Sequence, residues 1–76
     1  MILDGIIVLL DKQRGFGLIQ AGDTSGDIYF HHSALAPGLF EELAEGQSVE
    51  FSCHADPREV GKLRAVSVWV RSSGID

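Results

Sequence analysis

Five short runs rich in Val, Ile, Leu and Phe, set apart by clusters of turn-forming residues, confine this chain to a β architecture. No window keeps apolar residues at helical spacing for three turns. Gln47 to His54 instead sets Val49, Phe51 and Cys53 against Ser48, Glu50 and Ser52, the period of two of a strand with one buried face. The other runs are Gly5 to Leu10, Phe16 to Gln20, Asp27 to His31 and Leu63 to Val70. The last is expected to place Val66, Val68 and Val70 on one face and Ala65, Ser67 and Trp69 on the other. Asp11-Lys12-Gln13-Arg14-Gly15 and Gly22-Asp23-Thr24-Ser25-Gly26 are the first two turns, and Ala55 to Gly61 is a polar loop. Between His32 and Gly46 the pattern breaks into a connection, with one tight helical turn at Ser33-Ala34-Leu35, a turn at Pro37-Gly38 and at most a short helix over Leu39 to Ala44. Three strands in a meander, a long connection and two more strands suit an all-β, five-stranded antiparallel Greek-key barrel, because closure removes exposed strand edges. A sandwich is the alternative.

A chain of 76 residues buries enough surface for one core, so residues 1–76 are expected to form a single domain. Its one cysteine, Cys53, excludes an internal disulfide and fits a reducing compartment, so a cytoplasmic location is expected. The longest apolar run, Ile6 to Leu10, is far too short to span a bilayer, no segment reads as a secretory signal, and no membrane partner is expected. The net charge of −5 argues against a polybasic coat for nucleic acid. The bases are unevenly distributed, however. None lies between Ala21 and Pro57, and all six fall in two windows, Lys12 with Arg14 and then Arg58, Lys62, Arg64 and Arg71. Folding that joins the two windows gives an acidic protein one basic strip, and the local potential governs an encounter with phosphates.

The chemistry concentrates in Arg14-Gly15-Phe16-Gly17-Leu18-Ile19 and in Ile28-Tyr29-Phe30-His31. Alternation projects Phe16 with Leu18, and Tyr29 with His31, while Ile19, Ile28 and Phe30 face a core. Paired as antiparallel neighbours, the two strands make one patch of flat side chains with Lys12 and Arg14 at its end. Rings beside cations are what an unpaired nucleic-acid strand needs, since each base has a face to stack and each phosphate needs a counter-charge.

These stretches, with Gly5, His32-Ser33-Ala34-Leu35, Glu45 to Phe51 and Ala65 to Val68, resemble a cold-shock domain over about Gly5 to Val68. The family pairs the motifs Lys-Gly-Phe-Gly-Phe-Ile and Val-Phe-Val-His-Phe. The resemblance implies a five-stranded barrel of the oligonucleotide-binding (OB-fold) type that holds single-stranded RNA or DNA on strands two and three without catalysis. Arg14 stands in the place of the family's Lys, Phe16, Tyr29 and His31 in its Phe, Phe and His places, and Phe40 where it has an aromatic in the long connection. The departures are Val8-Leu9-Leu10 for Lys-Trp-Phe in the first strand, Leu18 for an aromatic, His32 for a Phe, and Gly61-Lys62 for Gly-Pro. Losing even two stacking partners, at about 1–3 kcal/mol each, weakens binding roughly a hundredfold or more.

The expected function is therefore weak binding of single-stranded RNA or DNA with little sequence preference. Phe16, Tyr29 and His31 stack bases, His32 is a further contact or else ends the strand at the surface, Leu9 and Leu18 give apolar contact, and Lys12, Arg14, Lys62 and Arg64 hold phosphates. Phe40 is a further contact or else a plug over the barrel end. An alternative is a barrel turned over to protein contact, including a homodimer through the apolar patch Val8, Leu9 and Leu18. His31-His32 and Cys53-His54 are adjacent pairs on strands and point to opposite faces, so neither chelates one ion, and no metal or cofactor is expected. No two titratable groups with complementary roles fall together, so no enzymatic activity is expected.

Overall fold

The computed structural model describes residues 2–22, 26–55, 58 and 63–70. Asp23, Thr24 and Ser25 of the second expected turn, most of the polar loop and the expected phosphate-holder Lys62 lie outside the described residues. The strands are β1 (Ile2–Asp11), β2 (Phe16–Gln20), β3 (Ile28–His31), β4 (Ser48–Ala55) and β5 (Leu63–Val70). They form a closed barrel in the order β1-β2-β3-β5-β4, with β4 returning to β1. The closing β3–β5 contact is parallel, a single register pair of Tyr29 with Arg64, and every other pairing is antiparallel. Among the described residues no helix is long and apolar enough to cross a membrane.

β1 runs beyond the expected Gly5 to Leu10 because it serves two neighbours. Ile2 to Ile6 pair with Ser52 to Ser48 of β4, and Ile6 to Asp11 pair with Gln20 to Phe16 of β2. The connection after β3 holds two single-turn 3-10 helices, His32–Ala34 and Phe40–Glu42, where a tight turn and a short helix were expected. It also carries Leu35, Phe40 and Leu43 into the core, beside Ile7, Ile19, Phe30, Val49 and Phe51, the last five fully buried. Cys53 is a free thiol buried among them.

The strict alternation expected on β5 fails at one point. Ser52 pairs with Ser67 but Cys53 pairs with Ala65, so Val66 is an extra residue opposite the β4 ladder. Ala65 and Val68 therefore both face the core, and Val66 is 46% exposed rather than sharing a face with Val68. A second irregularity, between Ile7 and Leu9, buries Ile7 and leaves both Val8 and Leu9 exposed. Trp69 lies beside its register partner Glu50, and its indole N–H donates to Glu50 Oε1 at 2.8 Å.

Candidate nucleic-acid interface

Register and alternation assemble the outer face of β2 and β3. Gly17, Ile19, Ile28 and Phe30 point inward and are buried, so their neighbours Phe16, Leu18, Tyr29 and His31 project outward. Phe16 pairs with His31 on β3 and with Asp11 on β1, making one transverse row. Leu18 pairs with Tyr29 and with Leu9, making a second row, which continues through Tyr29 to Arg64 of β5 and through Arg64 to His54 of β4. Phe16 and Tyr29, diagonal neighbours in adjacent rows, stack with ring centroids 5.5 Å apart and planes 21° from parallel. Phe16 is half-buried and Tyr29 is 37% exposed, so the pair offers ring surface to solvent. Of the residues at the family's Lys-Trp-Phe, Leu10 is partly buried against the core, and Leu9 is the one that stands beside Leu18 in the outer row.

The histidines are held by the turn that follows β3. The Ser33 amide donates to His31 Nδ1 at 3.3 Å and the Ser33 hydroxyl lies 2.8 Å from the same nitrogen. The His32 amide donates to the Gly15 carbonyl at 2.8 Å. Gly15 adopts φ +77°, and a Cβ there would stand 2.6 Å from His32 Cδ2, so glycine is needed both for the turn and for the ring packed over it. The His32 ring lies 4.2 Å from that of His31 and 6.0 Å from that of Phe40, and it is exposed where Phe40 is not.

Phe40, expected either as a further contact or as a plug over the barrel end, is a buried residue of the core cluster. It is 5% exposed and meets Phe30 edge-on at 6.2 Å, because the 3-10 turn that carries it folds its ring down onto the barrel interior. Its face is spent on protein packing, and the plug reading is the one the packing fits.

The cations fall at two corners. Lys12 Nζ donates to the Glu41 carbonyl at 2.9 Å, which ties the first turn to the long connection. Arg14 lies 3.8 Å from Asp11 Oδ2 with its side chain 81% exposed, a loose surface pair that leaves the guanidinium open to other anions. Arg64 lies across the patch, with its guanidinium carbon 5.5 Å from the centre of the Tyr29 ring. The sequence reading missed the Arg64–Tyr29 contact, the His54 neighbour and the Asp11 carboxylate beside Phe16. The first two depend on β5 pairing with both β3 and β4, for which no local signal exists. The third was legible from the hairpin register. Among the described residues, no three of His, Cys, Asp and Glu converge as they would to hold a metal ion.

Comparison with known proteins agrees with this geometry. Residues 3–71 match the model of the 'Cold-shock' DNA-binding domain. The chain is 32% identical over 66 residues to the cold shock-like protein CspJ of Salmonella typhi, and 40% identical over 66 residues to the cold shock-like protein CspB of Yersinia pestis. Each match covers 87% of this chain and 94% of the relative. Among solved structures, the drosophila Unr CSD456 superposes with a TM-score of 0.73 at 19% identity, over 96% of this chain and 28% of that one. The chain belongs to the cold-shock domain family, with the family's five-stranded OB-type barrel.

Proposed function

We propose that the outer face of β2 and β3 binds single-stranded nucleic acid, RNA or DNA, by stacking bases on Phe16, Tyr29 and His31. The stacked Phe16–Tyr29 pair, partly open to solvent and flanked by Arg14 on one side and Arg64 on the other, is the observation that carries this reading. Sequence preference is low, because stacking accepts any base and, among the described residues, no buried polar side chain stands ready to read base edges. Affinity is modest. Leu9 and Leu18 fill two outer positions where the family carries rings, and each missing stack removes about 1–3 kcal/mol. His32 adds an exposed ring at the margin, while Lys12 and Lys62 join Arg14 in neutralising phosphates. No catalytic step is part of this function.

Titration of the full chain with hexathymidylate, followed by backbone amide shifts at two salt concentrations, tests the proposal. Shifts centred on Phe16, Tyr29 and His31, with affinity falling at a log–log slope near −0.7 per phosphate contacted, are expected. An unperturbed spectrum together with a larger species in gel filtration would instead assign the exposed Val8 and Leu9, with the half-buried Leu18, to a contact between copies of the chain.

A further inference from the structure

The row that crosses the barrel through Leu9, Leu18, Tyr29, Arg64 and His54 is chemically lopsided. Its β1 end is apolar, with exposed Val8 beside Leu9 and the Asp11 carboxylate in the neighbouring row. Its β5–β4 end carries a guanidinium and an imidazole. Beyond Tyr29 at that end lies a groove of about 310 Å³ lined by His31, Ser33, Ala34, His54, Arg64 and Val66. Among the described residues no carboxylate lines it and no acid pairs with Arg64, in a chain with eleven acids against six bases.

The guanidinium meets the Tyr29 ring through a cation–π contact, which leaves donors at its edge for an anion. His54 is exposed and sits opposite Arg64 in the β4–β5 register, so its ring stands on the same outer face. A base stacked on Tyr29 therefore has a cation beside it on the β5 side and only leucines on the β1 side. A backbone phosphate attached to that base is drawn toward Arg64.

We infer that the groove between His31, His54 and Arg64 is a phosphate site. It receives the sugar–phosphate of the nucleotide next to the base on Tyr29, so that the bound strand crosses β3 toward β5 instead of passing over β1. The inference rests on the stacking function proposed above and adds the direction of the strand and the residues that set it. Arg64 is the principal contact, with His54 as a second donor.

Hexathymidylate is the probe, and the whole chain is used. In the wild type, its addition is expected to shift the amides of Ser33, Ala34 and His54 as well as those of Phe16 and Tyr29. Arg64→Met keeps an unbranched stem over Tyr29 but removes the charge. It should lower affinity about tenfold and reduce the salt slope by about 0.7, and Arg64→Lys should restore the slope. His54→Ala, at an exposed position, should weaken binding a few-fold without changing the urea midpoint, while Leu9→Ala should leave the slope unaltered. Shifts confined to Phe16, Tyr29 and His31, or an Arg64→Met variant with the wild-type slope, would overturn the phosphate site and leave the stacking face standing. No shifts anywhere would overturn both.

Discussion

Gly17 and Phe30 occupy one register position, and the missing side chain of the first makes room for the ring of the second. A Cβ on Gly17 would lie 2.6 Å from Phe30 Cε1 and 2.8 Å from the Leu9 carbonyl, with backbone on one side and a fully buried ring on the other. The glycine between Phe16 and Leu18 thus serves the core beneath the interface. Because the ring it accommodates is wedged under the strand, the outward pair above it has a firm base.

Gly17→Ala is accordingly expected to destabilise the fold by about 1–3 kcal/mol, the range for overpacking a filled interior. Urea denaturation measures it. A variant with the wild-type midpoint would mean that the strand shifts away from Phe30 at no cost.

Phe16→Ala and Tyr29→Ala are expected to weaken hexathymidylate binding by about 1–3 kcal/mol each while costing little stability, because both rings lie on the outer face and lose mainly their contact with one another. Combining the two should be less than additive in stability, since either substitution already removes the stacked pair. Unfolding losses of the size seen for interior phenylalanines would refute an outward role.

For Phe40→Ala the opposite balance is expected. A ring 5% exposed and packed on Phe30 should cost about 3–5 kcal/mol on truncation, enough to unfold much of a small domain, whereas the fraction that remains folded should bind hexathymidylate with nearly wild-type affinity. Comparing the urea midpoint with the affinity corrected for the folded fraction separates the two effects.

Arg14→Ala should leave stability within about 0.5 kcal/mol, because its contact with Asp11 is long and solvent-exposed. Oligonucleotide affinity should fall by a similar factor for every sequence and the salt slope should decrease. A change in base preference would show that Arg14 reads bases, not phosphates.

Trp69 is the only tryptophan, so its emission reports the β4–β5 seam. Glu50→Ala removes the acceptor 2.8 Å from its indole nitrogen and is expected to cost up to about 1 kcal/mol, with a shift in emission that Glu50→Gln largely reverses. Identical emission from all three proteins would show that the indole N–H finds an equivalent partner in water.

Period-two alternation marked β2, β4 and β5 within one or two residues of their ends, and the turn residues after Leu10 and Gln20 limited the register of the first three strands. That was enough to bring Phe16, Leu18, Tyr29 and His31 to one face, since a hairpin pairs residues whose separation is written in the loop between them. The same local rule failed at Val66. An extra residue on β5 cannot be recognised from β5 alone, because it is extra only relative to Ser52 and Cys53 on its partner.

From the chain alone, then, came the all-β class, the cold-shock resemblance and the rings of β2 and β3, because each depends on residues near one another along the backbone. Folding in three dimensions decided that Phe40 belongs to the interior, that Tyr29 carries Arg64 over its face, and that β1 extends to Ile2. These depend on the closure of the barrel. It joins β3 to β5 and β1 to β4 across most of the chain's length, and no sequence pattern within a single strand encodes which distant strand will lie beside it.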